Sequence, residues 1–373
     1  MKRRMFVGAV GGSAIAGVAG CLTRDGGENG TNGGTDDAEP ENPDLEGELT
    51  VATYTSMVDS DNSAGPWLKE AFEAEYPDAT LTWTVPSQGL NRYINREQQD
   101  ADIEADVYFG LNVDDLVRID DTLGDGGLLR ELNVDRIDNS ERIRDRLDMG
   151  DPHGRVLAYD TGYISLVYDE TVVDEPETFD DLLEADYQDA LLAQNAQHSD
   201  PGKAFLLWTI DTYGEDGYLD YWRDLEANGV RILDDWTESY TGSYMEEERP
   251  MVVSYSTDQV YANEYDYDMS RHQIGFPNDQ GYANPEGMGI FERASELDLA
   301  YAFLDFALSS DAQAEIAQRN VQFPAVASEH VDLDPEFDQY AHEPPESVTF
   351  GYDALRGNLD GWVEDWAREF AGR

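Results

Sequence analysis

Five aromatic residues stand out in an acidic and polar stretch of the sequence: Trp236, Tyr240, Tyr244, Tyr255 and Tyr261. A segment with a purely structural role more often places Leu, Ile and Val at its buried positions. Flat, electron-rich rings with polar edges suit a bound ligand. Tyr240 and Tyr244 are four residues apart, so one helical face would bury both, and we assign them to the core. Trp236, Tyr255 and Tyr261 remain as candidate ligand contacts.

The sequence offers little for covalent catalysis or metal binding. Its single cysteine, Cys21, precedes the predicted folded domain, which excludes a thiol nucleophile in that domain. The five histidines show no H-x-x-x-H spacing, and there is no G-x-S-x-G, P-loop or metalloprotease motif. Among 80 acidic residues, a pair of carboxylates is weak evidence for glycosidase chemistry. We therefore predict a binding protein that is not an enzyme and that needs no cofactor and no metal.

The charge of the chain narrows the range of partners. The 373 residues carry a formal net charge of -56, with acids spread along the whole sequence. Such a field repels nucleic acid, so we expect no nucleic-acid partner. An evenly acidic surface is typical of proteins from high-salt organisms, where the Debye length falls to about 3 Å at molar salt and surface repulsion is screened.

The start of the chain has the features of an exported lipoprotein. A basic head that includes "RRMFV" precedes a short Gly- and Ala-rich run, which resembles a twin-arginine signal. "VAGC" ends at Cys21 and resembles a lipobox, in which the cysteine is lipidated. We assign residues 1–20 to the signal and 21–47 to the lipidated cysteine with a disordered tether. The folded domain would then be anchored to the outer face of the cell membrane.

The pattern of the folded part predicts an α/β protein. Strands at "ELTVATY", "ATLTWTVP" and "ADVYFGL" alternate with helices at "PWLKEAFEAEYP" and "GLNRYINREQQ", which indicates mostly parallel sheets. Ligands of such sheets lie at the carboxyl ends of the strands, where Tyr54, Gln88 and Asn112 occur.

Further elements follow in the second half of the chain. "GYISLVYD" and "MVVSYS" predict strands, and "PETFDDLL", "SDPGKAFLLWTIDTYG" and "GNLDGWVEDWAREFAG" predict helices. The run from Ala294 to Asn320 predicts two more helices. Four tryptophans at helical spacing are assigned to the core: Trp208, Trp222, Trp362 and Trp366.

The order of these motifs resembles the extracytoplasmic substrate-binding proteins of ABC importers, and most closely those that bind thiamine. The most specific matches are "YDTGYISLVYD", "SDPG…LLW…YGED" and "WTESY…VVSYSTDQVY". The resemblance implies a two-lobed type II periplasmic-binding-protein-like fold with crossing hinge strands. Lobe 1 would comprise residues 48–161 and 278–373, and lobe 2 residues 162–277. It also implies a monomer that delivers its ligand to a permease and an ATPase.

The resemblance further implies which residues bind the ligand. Thiamine carries a permanent cation, which aromatic faces attract by about 0.5–2 kcal/mol per contact. Family contact positions are Tyr54, Ser199, Trp236, Tyr255 and Tyr261. Ser199 begins the helix of Asp200 and Gly202, whose free N–H groups favour an oxygen-rich group.

Two positions depart from the family pattern and leave the cargo open. A pyrimidine-binding carboxylate of the family falls at Gln88, and a family tryptophan falls at Val321. Thiamine, a thiamine phosphate and another pyrimidine compound are all consistent with the residues. The alternative is the same fold with a different cargo, ferric iron or a polyamine.

Overall fold

One mixed sheet of eleven strands organises the protein. The computed structural model describes residues 45–59 and 62–371. The strands within these ranges are β1 (Gly47–Ala52), β2 (Ala79–Thr84), β3 (Val107–Leu111), β4 (Val156–Tyr168), β5 (Leu191–Gln194), β6 (Arg231–Leu233), β7 (Met251–Tyr255), β8 (Gln273–Gly275), β9 (Gln280–Ile290), β10 (Phe323–Pro324) and β11 (Glu346–Val348).

The strand order explains the two-lobed shape. The path runs β2-β1-β3-β9-β4-β7-β5-β6, and β8, β10 and β11 pair beside it. Strands β2, β1 and β3 are parallel to each other, as are β7, β5 and β6. The long strands β4 and β9 are antiparallel, and each also pairs with one of the parallel groups. Parallel strands are therefore found in both lobes, as predicted, and an antiparallel pair crosses between the lobes within the same sheet.

Helices cover the faces of the sheet. In the described part of the chain they are α1 (Ala64–Glu75), α2 (Asn91–Gln98), α3 (Val113–Leu123), α4 (Asp200–Tyr213), α5 (Tyr218–Ala227), α6 (Asp258–Glu264), α7 (Leu297–Ala307), α8 (Ser310–Asn320), α9 (Pro335–Tyr340), α10 (Tyr352–Leu355) and α11 (Leu359–Phe370). Local sequence sets the ends of α4: the Ser199 hydroxyl accepts a hydrogen bond from the Gly202 N–H, and Gly214 follows with a φ of 73°.

The predicted strands and helices are largely confirmed, with two differences. "PETFDDLL" forms only a 3₁₀ turn over Asp180–Leu183 in place of the predicted helix. Thr178 and Asp181 cap each other as at a helix start, but no α-helix follows because Phe179 and Leu182 are already buried by this single turn. The strand predicted at "GYISLVYD" begins earlier, at Val156.

Large aromatic side chains fill the core. Trp208, Trp222 and Trp366 are fully buried and Trp362 nearly so, which confirms their assignment. Tyr240 and Tyr244 are also buried, in an eight-residue π-helix over Thr237–Tyr244. Burial of one such side chain contributes roughly 1.5–3 kcal/mol to folding.

The predicted domain limits remain predictions. The limit after residue 161 falls inside β4, and the limit after residue 277 lies three residues before β9. The predicted signal, Cys21 and most of the predicted tether lie outside the described residues. In residues 45–59 and 62–371, no helix has the length and apolar character needed to span a membrane.

Candidate functional site

A cleft of about 680 Å³ opens where several strands of both parallel groups end. This volume lies within the usual range of about 300–1,000 Å³ for small-molecule sites. Strands β1, β5, β6 and β7 lead at their carboxyl ends into Tyr54, Ser199, Trp236 and Tyr255 respectively. The carboxyl ends are where α/β sheets bind ligands, as the sequence predicted for this fold class. The remaining lining residues include Ser56, Asp59, His198, Asp200, Pro201, Asp235, Thr237, Tyr240, Ser254, Thr257, Asp258, Tyr261, Glu286, Arg319, Asn320, Val321 and Gln322.

Trp236 forms a fixed aromatic wall of the cleft. Its ring stacks on Tyr240, with centroids 4.7 Å apart and planes inclined by 10°. Its indole N–H donates to the Ser254 hydroxyl at 3.0 Å. Tyr240 is anchored in turn, because its hydroxyl donates to the buried carboxylate of Asp258, which also bonds His272. These contacts hold the indole plane in one orientation and leave it only partly buried.

Tyr255 lies opposite strand β4, where a glycine makes room for it. Tyr255 ends β7 and pairs with Ile164 of β4. A Cβ atom at Gly162 would lie 2.8 Å from the Tyr255 ring and 2.5 Å from Oε1 of Gln322. Gly162 therefore permits the observed ring position. The same oxygen of Gln322 is buried without a hydrogen-bond partner in the described residues, which leaves an acceptor in the cleft wall.

The other predicted contacts differ in exposure. Tyr54 lines the cleft, and burial together with Glu286 and Asp160 raises its pKa well above the ordinary value. Tyr261 is 37% exposed in α6 and packs against Tyr265. Ser199 is buried and caps α4, while Asp200 beside it is exposed. The structure thus brings six predicted residues to one cleft: Tyr54, Ser199, Asp200, Trp236, Tyr255 and Tyr261.

Three predicted residues do not line the cleft. Gln88 is exposed in the turn between β2 and α2. Asn112 begins α3, and its backbone N–H donates to Asp115 at 3.1 Å. Gly202 lies in the first turn of α4, where an added Cβ would meet the Gln194 carbonyl oxygen at 2.7 Å. Being near the carboxyl end of a strand is thus not sufficient to reach this cleft.

Apart from Asp200, the charged and amide side chains of the cleft were missed by the sequence prediction. Five carboxylates line it, Asp59, Asp200, Asp235, Asp258 and Glu286, against one arginine, Arg319, and one histidine, His198. Arg319 already pairs with Glu315 at 2.5 Å. The cleft is therefore acidic, which favours a positively charged ligand. Nothing in the sequence separated the other four carboxylates from the many acidic residues elsewhere in the chain.

Val321, one of the two departures from the family pattern, has a constrained backbone. It follows α8 with a φ of 52° and a ψ of 46°, the left-handed region that a β-branched residue rarely adopts. Such strain often lies at binding sites. In this conformation the short valine side chain lines the cleft. Over the residues that the structure describes, no group of three or more His, Cys, Asp or Glu side chains is arranged to hold a metal ion.

Comparisons with known proteins agree with this fold. The family model described as "Bacterial extracellular solute-binding protein" matches residues 120–357. The thiamine-binding periplasmic protein of Salmonella typhimurium is 25% identical over 321 residues, which cover 86% of this chain and 92% of the relative.

Solved structures give the same picture. A periplasmic thiamin-binding protein superposes with a TM-score of 0.71 at 25% identity, covering 87% of this chain and 96% of the other. A Trichodesmium protein in complex with iron and citrate has a TM-score of 0.69 at 16% identity, covering 86% and 99%, a likeness of fold alone. The two-lobed architecture, the cleft at the strand ends and the family match lead to one conclusion: the chain belongs to the bacterial extracellular solute-binding proteins.

Proposed function

We propose that this chain is the solute-binding component of an ABC importer and that its cargo is thiamine. The observation that carries the proposal is an aromatic cleft with an acidic lining. Trp236 and Tyr255 line it together with five carboxylates and a single arginine. The names of the similar thiamine-binding proteins support the same cargo.

The chemistry of thiamine fits these residues. Its thiazolium ring keeps its positive charge on burial, so the site must supply compensation. Aromatic faces contribute roughly 0.5–2 kcal/mol per cation contact, and carboxylates contribute directly. The flat aminopyrimidine stacks on flat side chains and needs hydrogen-bond partners at its edge. Ser199, Asn320 and Gln322 offer hydroxyl and amide groups in the same cleft.

The proposed mechanism is capture without chemical conversion. A ligand that contacts both lobes stabilises the closed arrangement by its higher affinity for that state. The lobes would be residues 48–161 with 278–373, and residues 162–277. The closed form would dock on a membrane permease driven by an ATPase. A lipid on Cys21 would hold the protein at the outer face of the membrane.

The charge of the cleft predicts a ranking of ligands. A phosphate monoester adds a charge of about −1.5 to −2 at neutral pH. The carboxylates of the cleft repel this negative charge. We expect thiamine to bind with submicromolar affinity and thiamine diphosphate about tenfold more weakly or worse, with the monophosphate in between. Calorimetric titration in about 1 M KCl measures all three, and partly buried charges remain effective at that salt concentration.

Two other cargoes serve as controls in the same titrations. Spermidine matches the acidic cleft but has no ring to stack on Trp236 and Tyr255, and ferric citrate tests the iron alternative. Both are expected to bind much more weakly than thiamine. Tighter binding of either, or no heat from any thiamine form in folded protein, would overturn the proposed cargo.

Replacing Gly162 with alanine should weaken thiamine binding without unfolding the protein. The new methyl group would collide with the Tyr255 ring and with Gln322, and both must move away from their positions in the cleft. We expect a loss of affinity of about tenfold, equivalent to 1.4 kcal/mol. Gly361→Ala, where an added Cβ meets nothing within 4 Å, is the matched control. Equal affinities of the two variants would show that this contact does not shape the site.

A further inference from the structure

Two carboxylates face each other across the strands that join the lobes. Asp160 of β4 and Glu286 of β9 are register partners in the antiparallel pair, next to an irregularity at Tyr159. The Cβ atoms of such partners lie about 4.5–5.5 Å apart, and like charges in this position destabilise a sheet. Asp160 is fully buried, and Glu286 is partly buried and lines the cleft.

The neighbours of the pair are mostly neutral hydrogen-bonding groups. The Tyr159 hydroxyl donates to Glu286 at 2.5 Å, and the Asn320 amide donates to Asp160 at 2.9 Å. The same amide nitrogen donates to the Tyr54 hydroxyl at 2.9 Å. One oxygen of Asp160, Oδ1, is buried and has no hydrogen-bond partner within the described residues.

Charged groups around the pair add repulsion. Asp200 of α4 and Asp115 of α3 both act unfavourably on Glu286, and Tyr255 of β7 lies close enough to be influenced by both carboxylates. Arg319 of α8 lines the cleft but is paired with Glu315. In residues 45–59 and 62–371, neither carboxylate forms an ion pair with a lysine, arginine or histidine.

This environment opposes two negative charges. Burial, and then the charge of Glu286, raise the pKa of Asp160 well above its ordinary value. Burial also raises the pKa of Glu286, although hydrogen bonds from Tyr159 and Tyr54 oppose that effect. Two interacting acids of this kind titrate as a unit.

We propose that Asp160 and Glu286 share a proton in the ligand-free protein and release it to solvent when an organic cation binds in the cleft. The positive charge of the ligand then replaces the proton as the compensation for the pair. The inference rests on the proposed function for the identity of the cation. The shared proton of the ligand-free protein is independent of that function. Through this exchange the pair distinguishes a cationic ligand from a neutral molecule of the same shape.

Calorimetry of thiamine binding at pH 7 in buffers with different ionisation enthalpies tests the exchange. The heat should vary with the buffer and correspond to the release of up to about one proton per thiamine. Because binding releases a proton, affinity should rise with pH wherever the ligand-free pair keeps that proton. Asp160→Asn and Glu286→Gln should abolish the buffer dependence, while Asp338→Asn, an exposed acid on α9, should retain it.

Infrared spectroscopy of the ligand-free protein separates this inference from the proposed cargo. At neutral pH the wild type should show a protonated-carboxyl band that is lost in both Asp160→Asn and Glu286→Gln and kept in Asp338→Asn. If thiamine fails to bind while this band is present, the proposed cargo is wrong and the shared proton stands. If the band is absent, or if the heat of thiamine binding does not depend on the buffer, the proton exchange is refuted. The proposed cargo is then judged by the measured affinity for thiamine alone.

Discussion

Replacing Trp236 with alanine is expected to lower the affinity for thiamine by about tenfold to a hundredfold. The indole is held by Tyr240 and Ser254 and presents a fixed face to the cleft. Its removal eliminates both stacking and cation attraction, worth roughly 0.5–1.5 and 0.5–2 kcal/mol respectively. Tyr255→Ala should have a comparable effect, and calorimetric titration measures both.

Trp236→Phe is the control for this result. Phenylalanine retains an aromatic face but cannot donate to Ser254, so we expect a smaller loss than with alanine. A far-ultraviolet circular dichroism spectrum establishes that each variant is folded. Wild-type affinity in both alanine variants would mean that the ligand binds elsewhere.

Replacing Arg155 with alanine is expected to destabilise the protein by about 3–5 kcal/mol. Arg155 is fully buried and bonds Asp120 at 2.7 and 2.9 Å and Asp151 at 2.8 Å. Without the guanidinium, two buried carboxylates lose their compensating charge. Urea denaturation at about 1 M KCl measures the change, since high salt screens the general repulsion of the acidic surface.

Arg293→Ala provides the comparison for Arg155. Arg293 pairs with Glu97 and Asp100 on the surface, so its loss should change stability little.

Acid should also destabilise the buried cluster of Arg155, Asp120 and Asp151. Burial acts to raise the pKa of Asp120, but the hydrogen bond from Arg155 holds that pKa below its ordinary value. The stability that Asp120 contributes is therefore present above the ordinary carboxyl pKa and lost as pH falls through the lowered one. If Arg155→Ala lowers the free energy of unfolding only slightly, this cluster does not contribute substantially to the stability of the protein.

The aromatic part of the candidate site was predictable from sequence because its residues break a local rule. Trp236 and Tyr255 occur in a polar, acidic segment where core packing alone would favour aliphatic residues. The family resemblance then implied that both contact the ligand, and the rule that ligands lie at the carboxyl ends of strands pointed to Tyr54. The same rule also pointed to Gln88 and Asn112, which do not line the cleft. The rule failed there because the tertiary arrangement decides which strand ends face the cleft.

The pairing of Asp160 with Glu286 was not predictable, for a physical reason. Asp160 and Glu286 meet through the register of β4 and β9, a pairing between segments 126 positions apart in the chain. Local periodicity carries no information on such a register. The sequence contains 80 acidic residues, so the fact that these two are acidic does not distinguish them from the others.

The fold was more predictable than the site because its signals are local. Alternating strands and helices define each parallel group, and caps such as Ser199 and Gly214 mark the ends of α4. The one misassigned helix, at "PETFDDLL", carries a true start signal, but tertiary contacts of Phe179 and Leu182 end it after one turn. Crossing strands between the lobes were expected from the family resemblance and not from local pattern, and the structure identifies them as the antiparallel pair β4 and β9.

The most direct test of the account is a crystal structure of the protein grown with thiamine. We predict density for one thiamine molecule in the cleft, with an aromatic ring against Trp236 or Tyr255 and the thiazolium close to Glu286. Thiamine bound at another surface, or an empty cleft in crystals saturated with thiamine, would contradict the central claim.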